Sequence, residues 1–320
     1  MLGFSLGPGA RVGFGAIVGG AQVALGEGAR VAPFSLVVAD EVVLGPRARI
    51  GPLTMVRVRR LSLGPFARIG ALVMVAGRER FFMHSAFTLG TNARIFPLCW
   101  VDCGQHVHVG DDSCLGGGTH VFTHGSFLSY LEGYPVNSGD VHVGDNVYIA
   151  WRCVLLPGTR IEGDAVVGAK SLLKGSFPRG VLLAGTPAKI VRQPYPPTPD
   201  ASERRKRLVE VLSRVADVLE ARGEKVIRES LSTEGVCLSW ISAPRGALRL
   251  VWSPAPETGA PAAGTILVLD GHAPPREGSY IDAKERRYRI AKREKALGDV
   301  VRRICHYHGI RLVEVIDPMQ

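Results

Sequence analysis

Cysteine is sparse in this chain and is never arranged for chemistry. The six residues, Cys99, Cys103, Cys114, Cys153, Cys237 and Cys305, form no CxxC pair. A chain of this size needs no disulfide staples, so reduced thiols are expected. No apolar run reaches the roughly 20 residues of a membrane-spanning helix. The opening stretch, MLGFSLGPGARVG, lacks the basic start and apolar run of a secretory signal. These absences predict a cytoplasmic protein. Charge is scarce too: 21% of the 320 residues are charged against 46% hydrophobic, which argues against disorder and allows two packed domains. No basic helix with interleaved aromatics and no nucleic-acid motif is present, so a nucleic-acid partner is not expected. The net charge of +10 divides into 18 basic against 12 acidic residues over 1–192 and 21 against 17 beyond. Neither part is a basic tail, and the excess suits anionic partners such as nucleotides, sugar phosphates or acidic glycolipid surfaces.

What the chain does have is a repeat. LGPGARV begins at Leu6, LGEGARV at Leu25, LGPRARI at Leu44 and LGPFARI at Leu63, each nineteen residues after the last, and LGTNARI at Leu89 opens a fifth copy. Within a unit, aliphatics recur about every six residues, as in Leu44, Ile50 and Val56. Three short strands per unit predict a triangular coil, and coils that cannot bury their apolar face alone must stack. The aliphatic residue should point inward, the following glycine should turn the corner, and Ala10, Ala29, Ala48, Ala67 and Ala93 should fit the narrow interior. Stacking at the usual inter-strand spacing of about 4.8 Å would align Arg11, Arg30, Arg49 and Arg68, with Arg94 continuing the column. Such a ladder is either a solvated face or a docking stripe for an anionic membrane or glycolipid surface.

Two insertions interrupt the repeat. GRERFFMHSA follows Ala76, and its Phe81, Phe82 and Met83 read as a small packed bulge or subunit contact. The larger one protrudes over 124–142 and carries Tyr130, Tyr134 and Pro135, as suits an ordered loop that leans on a neighbour. Regular coils resume with VHVGDNVYIA.

From about Val107 to Arg192 the ordered pieces VHVGDD, TH with a protruding loop, VHVGDNVYIA, LLPGTRI, VVGAKSLL and AGTPAKIVR resemble the left-handed β-helix acetyltransferases of the hexapeptide-repeat family. That family includes galactoside, xenobiotic and exopolysaccharide O-acetyltransferases. The resemblance implies a left-handed parallel β-helix, a homotrimer with each site in a groove between two chains, and acetyl-CoA as co-substrate without a metal. It also implies a histidine base at the start of the protruding loop. The candidates are His124, in Thr123-His124-Gly125 where the loop departs, and His120. A hydroxyl attacks a thioester at useful speed only if its proton is removed as the bond forms, and an imidazole of ordinary pKa near 6.5 does this at neutral pH. The oxyanion needs preorganised donors, which corner backbone N–H groups can supply.

For the donor, the resemblance points to Tyr148, where the family often has Trp, to Ala169 in the GA corner beside the pantetheine arm, and to Lys189 near the nucleotide phosphates. Trp151 stands where a small residue is usual, and Lys174 followed by Gly175 replaces a Thr-Lys pair, with Lys170 able to substitute for the missing charge. Tyr130 or Tyr134 would stack on the acceptor, a sugar or glycoconjugate, although an amine acceptor would use the same base.

The proline-rich QPYPPTPD, 193–200, reads as a linker between a β-helix over 1–192 and an α+β domain over 201–320. Asp200 and Glu203 form a capping box for a helix with Leu208, Val211, Leu212, Val215 and Leu219 on one face and Gly223 as its stop. Strands are expected at VCLSWIS, ALRLVWS, TILVLDG and IRLVEV, and a second helix over 292–308. This domain resembles no family, and its His272, His306 and His308 are too dispersed to read as a metal site. Two rival functions remain: a bare trimeric scaffold, and a γ-type carbonic anhydrase, whose zinc would require His106 and His124 to stack on adjacent coils.

Overall fold

Each repeat unit folds as three short strands joined by tight corners, for example Glu41–Leu44, Arg49–Ile50 and Met55–Arg57. The computed structural model describes residues 3–77, 83–232, 235–242, 246–252, 265–269, 279–282, 287–290, 295–307, 310 and 313–314. Among these, corresponding strands of successive coils pair into a nine-stranded first face, a ten-stranded second face and an eight-stranded third face. All pairings are parallel except the last on the second face, where Ala188–Arg192 folds back antiparallel on Leu182–Gly185. The result is a left-handed β-helix. Residues 78–82, with Phe81 and Phe82 of the first insertion, lie outside the described residues; Met83 is exposed.

The interior follows from alternation along the strands. In Glu41–Leu44 and Arg60–Leu63 every second residue is buried, and these aliphatics form one continuous core from Val23 to Leu183. Ala29, Ala48, Ala67 and Ala93 are fully buried, whereas Ala10, in the first coil, is only partly covered. The glycine after each repeat leucine has a different role from the one expected. A Cβ on Gly45 would sit 2.7 Å from Pro65 N, and one on Gly64 2.7 Å from Thr91 N, so these glycines let successive coils approach. The left-handed corner comes two residues later, at Arg47 (φ 57°), Phe66 (φ 60°) and Asn92 (φ 57°). Non-glycine residues tolerate that conformation because stacking on both sides leaves no alternative, at roughly 1–2 kcal/mol each.

Two outward columns follow from the register. Arg11, Arg30, Arg49 and Arg68 align along the second face as the nineteen-residue spacing required, and Arg94 continues the column past the first insertion. Along the third face Ile17, Leu36, Met55, Met74, Trp100, His120, Val154 and Leu172 align, an almost wholly apolar file on an outer surface.

The chain divides into two compact units, Met1–Thr198 and Pro199–Gln320. Part of the proline-rich segment belongs to the first: Tyr195 N–H donates to Gly180 O at 2.8 Å. In the second, helix Ala201–Glu220 is capped by Asp200, whose Oδ1 accepts from Glu203 N at 2.8 Å. Its buried face is Leu208, Val211, Leu212, Val215, Ala216 and Leu219, as periodicity predicted with Ala216 added. That face joins the core of a seven-stranded sheet. The sheet includes Gly235–Ser242, Gly246–Trp252, Thr265–Leu269 and Val313–Glu314, and also Lys225–Ser232, Ser279–Asp282 and Arg287–Arg289, which the sequence did not indicate. The second helix is Lys295–Tyr307. His272 and His308 lie outside the described residues, as does the side chain of His306.

Candidate active site

The protruding loop leaves the β-helix where the third face turns toward the first. Thr123 is buried there, and its carbonyl accepts from Gly139 N at 2.9 Å, closing the base of the loop. His124 and Gly125 pair antiparallel with Ser138 and Asn137, and the loop carries a single 3-10 turn, Tyr130–Glu132. The β-helix resumes at Val141. His124 is therefore the first side chain on a short ribbon whose root is pinned in the core.

One carboxylate organises that root. Asp102 ends the third-face strand Trp100–Asp102, one coil below. Its Oδ2 lies 2.7 Å from His124 Nδ1, with the imidazole about one third exposed and the carboxylate 14% exposed. The same oxygen accepts from Thr123 N at 3.2 Å and His124 N at 3.3 Å, while Oδ1 accepts from Gly104 N at 3.3 Å. Backbone donors thus orient the carboxylate, and the carboxylate orients the ring. A carboxylate on Nδ1 selects the tautomer with its proton there, leaving Nε2 with a lone pair able to take a proton. Sequence reading did not find Asp102. Its only signal is an acidic residue at a strand end, twenty-two positions before the histidine and one coil away.

His120 is placed differently. It sits outward on the third face between Trp100 and Val154, its ring edge-on to Phe122 at 6.2 Å, and it contacts no carboxylate among the described residues. His106 lies on the first face, so the His106–His124 stacking that a zinc site would need does not occur. Four of the thiols are poor nucleophiles: burial pushes Cys99 up to about 11 and Cys305 up to about 12, and raises Cys103 and Cys153.

The residues expected around the donor gather at another corner, where the second face turns toward the third. Tyr148 and Trp151 are exposed, and Trp151 lies over Gly117, where a Cβ would meet its ring at 2.6 Å. Phe96 lies 6.4 Å from Trp151. Lys170 N donates to Trp151 O at 2.9 Å, stacking the exposed Ala169–Lys170 corner on the Trp151 corner. Thr186 Oγ1 donates to Lys170 O at 3.2 Å, and Lys189 pairs with Ala184 in the final hairpin, so Lys189 and Lys170 belong to one end of this ridge. Lys174 does not. It follows Leu172–Leu173 and lies on the edge from which the His124 loop departs. Tyr130 and Tyr134 are exposed on the loop with Phe127, Leu128 and Leu131. Within one chain, then, His124 and the Tyr148–Trp151–Ala169–Lys189 ridge occupy opposite edges of the third face.

No family model matches the chain. The galactoside O-acetyltransferase of Escherichia coli (strain K12) is 26% identical over 138 aligned positions, covering 36% of this chain and 68% of that protein. The 2,3,4,5-tetrahydropyridine-2,6-dicarboxylate N-acetyltransferase of Staphylococcus aureus (strain JH9) is 29% identical over 114 positions, again 36% of this chain but only 40% of the relative. A hexapeptide-repeat acetyltransferase from Vibrio cholerae O1 biovar eltor, solved with acetyl coenzyme A, superposes with a TM-score of 0.33 at 22% identity over 47% of this chain and 69% of that one. The repeat and the sequence similarity relate the β-helix to the hexapeptide-repeat acetyltransferases.

Proposed function

We propose that this hexapeptide-repeat β-helix moves an acetyl group from acetyl-CoA to a hydroxyl of a sugar or glycoconjugate, with His124 as general base and Asp102 positioning it. The observation that carries the reading is the 2.7 Å contact between His124 Nδ1 and Asp102 Oδ2 at the root of a protruding loop. Nε2 takes the acceptor proton as the oxygen attacks the thioester carbonyl. The tetrahedral intermediate collapses with cleavage of the C–S bond, and the imidazolium returns its proton to the departing CoA thiolate. No acyl-enzyme is needed, consistent with thiols pushed up by burial. An amine acceptor would follow the same steps, so O- rather than N-transfer rests on the likeness to the galactoside enzyme and on the exposed tyrosines of the loop.

The site is completed by a second copy. His124 and the Tyr148–Trp151 ridge lie on opposite edges of the third face, and the file between them is apolar, with Ile17 60% and Trp100 46% exposed. Packing third faces about a threefold axis buries that file and brings the His124 edge of one chain to the donor ridge of the next. The loop, with Phe127 99% and Leu131 95% exposed, would cover the groove. The test is a mass-spectrometric screen of acetyl transfer to sugars and amines with His124→Ala as control. Turnover should fall about 10²–10⁴-fold with CoA affinity nearly unchanged. A loss of this kind in His120→Ala but not in His124→Ala, or a monomer in light scattering at micromolar concentration, would overturn the assignment.

A further inference from the structure

No chemical step of the proposed acetyl transfer uses the arginine ladder. Three other arginines of the β-helix are paired: Arg59 with Asp40 at 3.4 Å, Arg160 with Glu162 at 2.7 Å, and Arg179 with Asp164. Among the described residues, Arg11, Arg30, Arg49 and Arg68 find no carboxylate to pair with, yet they stand in register one coil apart. Burial and, after it, the adjacent charge of Arg49 lower the pKa of Arg68. With Arg94 they line a groove of about 560 Å³ that also includes Pro33, Gly51, Gly70, Phe96 and Pro97.

We propose that this groove binds a linear acidic polysaccharide, laid along the β-helix axis with its carboxylates on successive arginines. A periodic row of charges calls for a periodic ligand, and a mononucleotide or sugar phosphate would leave most of the ladder unanswered. The surface is a groove, so a flat bilayer meets it poorly. Phe96 is the one aromatic residue in its lining among the described residues, which gives no row of stacking platforms for single-stranded nucleic acid. Proline rings and glycine backbone suit the C–H faces of sugar rings, while planar guanidiniums match carboxylates in fork geometry. The ladder also points somewhere. Its column continues through Cys114 to Tyr148, and Phe96 at its end lies 6.4 Å from Trp151. A polymer held there would be the acceptor or its tether, and in that respect the proposal rests on the acetyl-transfer reading; the binding itself does not.

The experiment is fluorescence anisotropy with labelled polygalacturonate and the full chain, without acetyl-CoA, at 50 and 200 mM salt. Taking the counterion-release slope of about −0.7 per contact known for single-stranded polyanions, five contacts predict an affinity loss of about a hundredfold between the two salts. The triple variant Arg30→Ala/Arg49→Ala/Arg68→Ala should bind more weakly and lose only about sevenfold over the same range. Circular dichroism establishes that the variant is folded, and the single reversal Arg49→Glu at an exposed position gives a second measurement should the triple variant fail to fold. His124→Ala should bind like the wild type. The proposal is overturned if Arg49→Glu and the folded triple variant bind normally. It is equally overturned if fully methyl-esterified polymer, oligo-dT or phosphatidylserine vesicles bind the wild type as tightly as polygalacturonate does. Polymer binding without acetyl transfer to any acceptor would leave the groove standing and remove the proposed function; transfer without polymer binding would do the reverse.

Discussion

Replacing Asp102 with asparagine removes one charge from a group that orients both the imidazole proposed as the base and a chain reversal. At the 2.7 Å separation from His124 Nδ1, the attraction to an imidazolium is about 6 kcal/mol at an effective dielectric of 20 and about 1.5 kcal/mol in bulk water. The ring is one third exposed and the carboxylate largely covered, so an intermediate value of about 3 kcal/mol applies, or roughly two decades of rate. The substituted amide would also set its NH₂ against one of the backbone donors Gly104, Thr123 or His124, whichever way it is turned. The fold should therefore lose about 2 kcal/mol. The assay is thiol release from acetyl-CoA, well below the melting temperature of the variant, with acceptors of graded hydroxyl acidity. Asp102→Asn should lower kcat about a hundredfold with unchanged CoA affinity, and the deficit should shrink for more acidic acceptors, which need less help from a base. Merely structural damage would not track acceptor acidity. Turnover within threefold of wild type in a folded variant, or CoA affinity falling in step with kcat, would refute the dyad.

The first face carries three imidazoles, with His108 and His142 stacked at 4.8 Å and 8° and His106 bonded to Thr88 at 2.9 Å. Burial lowers the pKa of all three, so the unfolded chain binds protons first as pH falls below about 6.5, and stability is lost from there down through the lowered folded values. His142→Gln should flatten the melting-temperature curve between pH 7 and 5; an unchanged slope would count against this. Ala48→Leu, at a fully buried position between Ala29 and Ala67, should overpack the coil by about 1–3 kcal/mol, read as a lower urea midpoint. Acetyl-CoA should raise the melting temperature. Lys189→Ala should reduce that gain more than Lys170→Ala, and the reverse order would move the phosphate contacts to the Ala169–Lys170 corner.

The nineteen-residue spacing by itself determined the coils, the inward alanines and the arginine register, because each depends only on a period and on stacking like upon like. The capped helix Ala201–Glu220 was equally legible, since cap and apolar face are both local. Lys225–Ser232 was not: none of its residues is buried and Lys225, Arg228 and Glu229 are charged, so no alternation marks it as a strand, and only pairing with Gly235–Ser242 makes it one. The glycines after the repeat leucines are legible as a pattern but their role is not, because close approach to the next coil is a property of the stack and not of the turn. The same distinction divides the candidate site. His124 could be named from a motif at the foot of a loop, but Asp102 belongs to no motif and meets it only because one coil lies on another. That His124 and Trp151 occupy opposite edges of an apolar face is likewise invisible along the chain. A repeat says which residues share a column; which edge each column occupies is decided only when three strands close into a prism.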